Sequence, residues 1–175
     1  MKNWKMIMII GIVIAMVITG CQSNAFEKHS DLQNESTLDY QKIYSFKTNY
    51  IGDASKTAGL VRSLHYSQYI QDGIALRTRE QPYGIEVKYV VSNLKNYEHV
   101  QAEMLENAVI IFSLIDNADQ VIMRFSDGKD YYEYNFARPY IRELIGIELA
   151  FFGRDYDTFS NGLVPVLEVQ EWQEG

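Results

Sequence analysis

The stretch VIMRFSDGKDYYEYNF, residues 121–136, decides the fold of this chain. Apolar and polar residues alternate on both sides of Asp127-Gly128, a pair that suits a two-residue type I′ turn between paired strands. The stretch predicts a β-hairpin in which Phe125 lies opposite Asp130. Its apolar face would carry Val121, Met123, Phe125, Tyr132, Tyr134 and Phe136, and its polar face Arg124, Tyr131, Glu133 and Asn135. A sheet with helices on one side requires such a division.

A second hairpin is predicted upstream of the first. Alternation runs through residues 74–78 and resumes at Ile85, after the turn sequence EQPYG. Two alternating runs separated by proline and glycine are typical of a hairpin. Its polar side would place Arg79 opposite Glu86.

Helices are predicted around the two hairpins. Residues 53–64 begin at Asp53, an N-cap type of residue, and carry apolar residues at helical spacing. Residues 102–117 have the length and spacing of a helix, although their β-branched content keeps a strand as the competing interpretation. Pro139 suits the first position of a third helix, which we expect to end at Gly153.

The end of the chain completes the predicted fold. The segment GLVPVLEVQEW, residues 162–172, favours a strand that Pro165 confines toward a sheet edge. Alternating hairpins and helices predict an α+β fold. The sheet is expected to be antiparallel, built from two hairpins plus this C-terminal strand, with helices packed mainly on one face. Residues 40–175 have the usual size of a single globular domain.

The N-terminal region is typical of an export signal. A basic start precedes an apolar run at residues 6–18, and the small residue Gly20 follows. The run is shorter than the about 20 residues that a bilayer-spanning helix needs. The sequence therefore predicts an exported protein.

The only cysteine, Cys21, follows directly. Ile-Thr-Gly-Cys, residues 18–21, resembles the lipobox of bacterial lipoproteins. The resemblance implies cleavage between Gly20 and Cys21, which removes residues 1–20 as a signal peptide, and diacylglycerol attachment to the Cys21 thiol. Each buried CH₂ group contributes about 0.8 kcal/mol, and two acyl chains hold a protein durably on a membrane. An incidental cysteine after a plain signal or anchor helix remains the alternative.

The region after Cys21 and the net charge limit the partners. Residues 22–39 are polar and predict a flexible tether that spans roughly 23 Å as a coil. The net charge of −7 repels phosphate backbones, so we expect no nucleic-acid partner. The expected partners are the membrane, through the lipid on Cys21, and a membrane protein or cell-envelope component.

Motifs of known catalytic or metal-binding chemistry do not stand out. The sequence contains no HExxH, G-x-S-x-G or P-loop motif. Asp155, Asp157 and Asn161 invite a calcium interpretation, but Phe159 and Ser160 stand where an EF-hand loop has a ligand and a glycine. Those acids are expected to cap a helix or a turn, and no metal or cofactor is predicted. The three histidines are predicted to face solvent: His29, His65 and His99.

Two features are candidates for binding. Asp53, Ser55 and Lys56 stand at a helix start, where free amides attract anions; the alternative is a capped and solvated helix start. Tyr131 is the second candidate, because tyrosine combines apolar area with a hydroxyl in recognition surfaces. The alternative is that the hairpin tyrosines only cover the sheet.

Three stretches resemble a bacterial family of unknown function. They are YIGDASKTAGLVRSL (50–64), QPYGIEVKY (81–89) and NAVIIFSLIDNADQVIMRF (107–125). Over residues 46–159 the chain is similar to the DUF4825 family, found in exported lipoproteins and membrane proteins of Gram-positive bacteria. Some members join the domain to membrane metallopeptidase-like sensors. The resemblance implies a sensing or interaction role and supplies no catalytic residue.

The function that these features favour is a lipoprotein, tethered outside the cytoplasm, with a non-catalytic binding, accessory or envelope-sensing domain. The alternative is an envelope-acting hydrolase with a scattered active site. Its candidate acids would be Glu133 and Asp130, although alternation puts them on opposite faces of the hairpin. A deep acidic cleft would favour the enzyme, and a shallow face lined by tyrosine would favour binding.

Overall fold

The computed structural model describes residues 38–91 and 97–169. These residues belong to one compact unit. Gly20, Cys21, His29 and nearly all of the predicted tether lie outside the described residues, so the signal, the lipid and the tether remain predictions.

A four-stranded sheet in the order β1-β2-β3-β4 forms the centre of the domain. Strands β1 (Ile70–Arg77) and β2 (Gly84–Val90) form one antiparallel hairpin. Strands β3 (Gln120–Ser126) and β4 (Tyr131–Ala137) form the other. Both predicted hairpins and the α+β class are therefore confirmed.

The sheet is mixed, which corrects the prediction of an antiparallel sheet. Strands β2 and β3 are parallel, from Gly84 opposite Gln120 to Val90 opposite Ser126. Helix α3 (Tyr97–Leu114) connects them. Parallel neighbours need such a crossover, because the chain must return to the starting edge of the sheet. The helix confirms the interpretation of residues 102–117, and its β-branched residues are buried.

The second hairpin has a register two residues away from the predicted one. Phe125 pairs with Tyr132. Asp127 Oδ1 accepts hydrogen bonds from the backbone N–H groups two and three residues later, at 2.9 and 2.7 Å. This side chain builds the turn, so Gly128 (φ 87°) and Lys129 form its tip. A shift of two residues keeps each side chain on its predicted face.

The helices lie on one face of the sheet, as predicted. Helix α1 is Tyr40–Ser45, and helix α2 is Ala54–Val61. Helix α2 begins where expected, and it buries Thr57, Leu60 and Val61. The core-facing residues of β3 are fully buried against the helices, whereas Tyr131, Glu133 and Asn135 of β4 are exposed on the other face.

The predicted third helix is divided by Gly146. Helix α4 (Arg138–Ile145) has proline in its first turn and ends at Gly146, whose φ is 73°. Two short helices follow, α5 (Leu149–Phe152) and α6 (Tyr156–Thr158). Glycine adopts this left-handed conformation readily, which explains why the helix ends there.

The C-terminal segment is helical, so the predicted C-terminal strand is wrong over the described residues. A π-helix covers Phe159–Leu163, and α7 covers Val164–Val169. The helical run is continuous from Tyr156 to Val169, and Pro165 lies inside it, two residues after the π-helix ends. The proline that suggested an edge strand therefore lies within a helix whose preceding turn departs from α-helical geometry.

Candidate functional site

The sheet face opposite the helices carries alternating charges across all four strands. Arg77 Nε of β1 lies 3.4 Å from Glu86 Oε1 of β2. Arg124 of β3 donates to Glu86 at 2.7 Å and to Glu133 of β4 at 2.8 Å. We call these four residues the charge ladder. It joins the two hairpins on the open face of the sheet.

The strand register explains the ladder. Arg124 lies directly opposite Glu133, and Glu86 lies opposite Ala75, so Arg77 reaches Glu86 diagonally. The predicted partner Arg79 lies beyond the end of β1, and that pairing is wrong. Hydrogen bonds to Glu86 and then to Glu133 raise the pKa of Arg124 above its ordinary value. Charge-assisted bonds of this kind are stronger than neutral ones.

A groove of about 520 Å³ lies on the same face, toward the ends of β2 and β3. It is lined by residues of all four strands: Gln71, Asp72, Lys88, Tyr89, Val90, Arg124, Phe125, Ser126, Tyr131 and Glu133. Tyr131 is 61% exposed. The structure therefore places this candidate residue beside the ladder, with its ring available to a partner. We call this feature the sheet groove.

The sheet groove combines apolar, cationic and polar groups. Lys88 is exposed and has no ion pair with any residue in the described part of the chain. Its neighbour in register, Arg124, is already bound by two carboxylates. Val90 is exposed on the same strand as Lys88. Such a mixture can bind a ligand that has both an apolar part and a polar part.

Asp53, Ser55 and Lys56 lie far from Tyr131. Ile51, next to this group, donates its N–H to Asn117 Oδ1 at 2.7 Å, shortly before β3 begins. Tyr131 pairs with the last residue of β3. A seven-residue strand spans about 20 Å, so the two candidates stand near opposite ends of β3.

The first candidate group has structural contacts of its own. The Asp53 carboxylate accepts the backbone N–H of Lys56 at 3.2 Å and caps α2. Lys56 Nζ donates to the carbonyl of Lys47 at 2.8 Å, and Ser55 is exposed. These contacts are those of a capped helix start, the alternative considered from the sequence.

A histidine between two carboxylates is the feature that the sequence did not reveal. His65 Nδ1 lies 3.4 Å from Glu103, and Nε2 lies 3.1 Å from Glu106. Tyr40 donates to Glu106 at 3.1 Å, and His99 lies 3.6 Å from Glu103. We call these residues the histidine cluster. The His65 side chain is only 15% exposed, so its predicted solvent exposure is wrong, whereas His99 is 54% exposed as expected.

The histidine cluster and the adjacent Asn107 join residues 62–69, the connector between α2 and β1, to helix α3. The fully buried Asn107 accepts the N–H of His65 at 3.1 Å and donates to its carbonyl at 3.2 Å. Tyr66 has a left-handed φ of 63°. The pKa of the Tyr66 hydroxyl is raised, mainly because the group is buried and also because it is hydrogen-bonded to Glu103. The spacing of Glu103, Glu106 and Asn107 predicts a shared helix face, but it contains no information about the distant His65.

Among the acids near the C-terminus, Asp155 has the predicted capping role. Asp155 Oδ1 accepts the backbone N–H of Thr158 at 2.7 Å at the start of α6. This bond lowers the pKa of Asp155. Within residues 38–91 and 97–169, no group of three or more His, Cys, Asp or Glu residues could hold a metal ion. The same residues contain no helix of sufficient length and hydropathy to span a bilayer.

Over the residues that the structure describes, the chain forms a small α+β domain whose polar sheet face carries the groove and is not packed against a helix. The family described as Domain of unknown function (DUF4825) matches residues 43–137, more than half of the chain, and the chain belongs to this family. The match includes all four strands, α3 and the sheet groove. Neither the curated proteins nor the solved structures that were searched contain a match to the chain.

Proposed function

We propose that this protein is a membrane-tethered, extracytoplasmic lipoprotein whose domain binds a membrane-protein or cell-envelope partner without catalysis. The sheet groove is the binding surface. The observation that carries the proposal is the exposed ring of Tyr131 at a groove to which all four strands contribute. Tyrosine combines a large apolar contact area with a hydroxyl, and it is enriched among the residues that dominate binding energy.

The chemistry of the groove supports binding over hydrolysis. A carboxylate pair that hydrolyses a bond needs one acid to donate a proton and the other to accept one or to attack. Glu86 and Glu133 instead share Arg124 as a hydrogen-bond donor. Asp130, the other acid considered from the sequence, lies in the turn before β4. The groove is open and carries charges of both signs, so it lacks the deep acidic cleft expected of the enzyme.

The histidine cluster is the observation that favours the alternative, a hydrolase. Imidazole beside carboxylate is a common arrangement for general acid–base catalysis. Here, however, both ring nitrogens of His65 already face carboxylates, and its side chain is largely buried. His65 therefore fits a structural role better, because neither nitrogen is directed at open solvent.

Site-specific photocrosslinking in cells tests the proposal. A photoreactive phenylalanine analogue at position 131 should capture a partner, whereas the analogue at position 50 should not. Tyr50 is a matched control because it is 69% exposed and precedes α2, far from the groove. Equal capture from both positions, or none from position 131, would contradict the groove as the binding surface.

Alanine substitutions separate binding from folding. Tyr131→Ala should weaken the captured complex and leave the melting temperature unchanged, because the ring is exposed. Tyr132→Ala should mainly destabilise, because Tyr132 lies on the core-facing side of β4. Unfolding of Tyr131→Ala would show that this face is covered and that the binding surface lies elsewhere.

A further inference from the structure

Four large apolar side chains are exposed on residues 138–152, which comprise α4, α5 and the residues between them. They are Tyr140, Leu144, Ile147 and Phe151, each between 38% and 58% exposed. We call them the α4–α5 patch. Tyr140 and Leu144 are one turn apart on α4, whereas Ile141 on the same helix is fully buried. The helix thus has one apolar side in the core and further apolar residues in solvent.

Cationic side chains accompany the patch. The Arg154 guanidinium lies 4.0 Å from the centre of the Phe151 ring. Arg142 Nη1 lies 3.7 Å from Glu148 Oε2, and both side chains are exposed. Aromatic rings and long cationic side chains are the residues that proteins place at the boundary between lipid and water, because each has an apolar body and a polar end.

The first helix after the predicted tether contacts the segment that carries this patch. Helix α1 begins two residues after Leu38, where the described chain starts. Tyr44 of α1 donates to the carbonyl of Gly153 at 3.4 Å, and its ring is 5.6 Å from that of Tyr156. Gly153 is only two residues from Phe151. Helix α1, which the predicted tether precedes, therefore packs against the segment that directly follows the patch.

We propose that the α4–α5 patch rests on the lipid surface to which the protein is anchored. This inference deepens the proposed function and rests on it, since the predicted tether keeps the patch near the bilayer. A short tether raises the effective concentration of a linked surface to about the millimolar range, so a weak apolar contact is sufficient. The contact is apolar rather than electrostatic, because the net charge of −7 opposes attraction to anionic lipid.

This orientation leaves the sheet groove free for a partner. Strand β4 begins at Tyr131 and ends at Ala137, and α4 begins at the next residue. The groove and the start of α4 are therefore at opposite ends of β4, about 20 Å apart. If the patch rests on lipid, the Tyr131 end of the sheet therefore points away from the bilayer.

Quenching by brominated lipid tests the proposed contact. The full chain is expressed in a bacterium, purified with its lipid and reconstituted into phosphatidylcholine vesicles with brominated acyl chains. Phe replaces Trp172, the native tryptophan of the processed protein, and also Trp4, which an unprocessed precursor would retain. A single tryptophan is then introduced by Phe151→Trp or, as control, Tyr131→Trp. We expect at least twofold quenching at position 151 and none at position 131. Equal quenching at both positions, or none at 151, would overturn the proposal.

Charge substitutions supply a second arm. Leu144→Glu combined with Ile147→Glu should reduce quenching at position 151 at least twofold, with an unchanged melting temperature, since both side chains are exposed. Unchanged quenching in this variant would overturn the proposal. A lowered melting temperature would also overturn it, because it would mean that the patch is covered within the protein.

Failure of the anchor is distinguishable from failure of the patch. The mass of the purified protein reports whether Cys21 carries diacylglycerol. If it does not, the full chain can be coupled through its only thiol to a maleimide lipid in the same vesicles. Selective quenching at position 151 would then support the patch although the proposed natural anchor had failed, and its loss would overturn the patch.

Discussion

Arg124 Nη1 lies 2.7 Å from Glu86 Oε2 across the junction of the parallel strands β2 and β3. This contact joins the two hairpins on the sheet face that the helices leave uncovered. The same guanidinium binds Glu133 of β4, so one side chain connects three strands. On the sheet face that carries the groove, the charged side chains of β2, β3 and β4 are therefore held together by Arg124.

Replacing Arg124 tests the stabilising role of the ladder. Arg124→Met should lower the free energy of unfolding by about 1–2 kcal/mol, because it removes charge-assisted bonds to two partly exposed carboxylates. Urea denaturation measures the change. Arg79→Met is the matched control, since Arg79 is exposed beyond the end of β1. Equal stability of the two variants would show that the ladder contributes nothing.

The turn of the second hairpin depends on the backbone of Gly128. Gly128→Val places a β-branched residue at a φ of 87° and should cost about 1–3 kcal/mol. Lys129→Val alters the same exposed tip without this strain, because Lys129 does not have a positive φ. Thermal melts should therefore show a lower melting temperature for Gly128→Val alone. Similar melts for both would argue against the turn geometry.

The buried side-chain amide of Asn107 on α3 binds the connector between α2 and β1 through both backbone groups of His65. Asn107→Ala leaves the N–H and carbonyl of His65 without their partner, which should cost about 2–3 kcal/mol. Hydrogen exchange should also speed up at the His65 amide. Asn135→Ala on the exposed sheet face is the control and should change stability by less than about 0.5 kcal/mol. An equally small loss of stability in Asn107→Ala would show that Asn107 does not stabilise the connector.

Acid should weaken the hairpin turn through Asp127. Hydrogen bonds from the backbone N–H groups of Asp130 and then Lys129 lower the pKa of the Asp127 carboxyl in the folded state. Its contribution is therefore fully present above the ordinary carboxyl pKa of about 3.9 and is lost as pH falls through the lower folded value. Asp127→Asn should reduce the loss of stability between pH 5 and pH 2, measured by urea denaturation at each pH. An unchanged pH profile would contradict this role.

Lipid anchoring depends on the thiol of Cys21. Cys21→Ser should abolish incorporation of labelled lipid and either release the protein from membranes or leave an unprocessed precursor. Cell fractionation and the mass of the product measure both effects. Gln22→Ser, at the next residue, is the control and should stay lipidated. A mature, membrane-bound Cys21→Ser protein would disprove the lipobox interpretation.

Local features of the sequence were sufficient for both hairpins, for helices α2 and α3, and for the faces of the hairpin strands. Alternation specifies which side chains share a face, and it correctly separated Tyr131 from Tyr132. Asp53 indicated the start of α2, because a helix cap depends only on neighbouring backbone groups. The helix after Pro139 ends at Gly146 instead of at the predicted Gly153. Predictions based on such short-range interactions were confirmed for the two hairpins and for the start of α2, but the predicted C-terminal strand was wrong.

Contacts between distant parts of the chain were decided only by the tertiary structure. The parallel junction of β2 and β3 depends on where α3 packs, and the sheet groove needs residues from four strands. His65 meets Glu103 and Glu106 about 40 positions later in the sequence. No local pattern encodes these pairings, because they are set by burial of a common core. For the same reason, the C-terminal segment packs as a helix with Phe159 and Leu163 fully buried, although its local pattern favoured a strand.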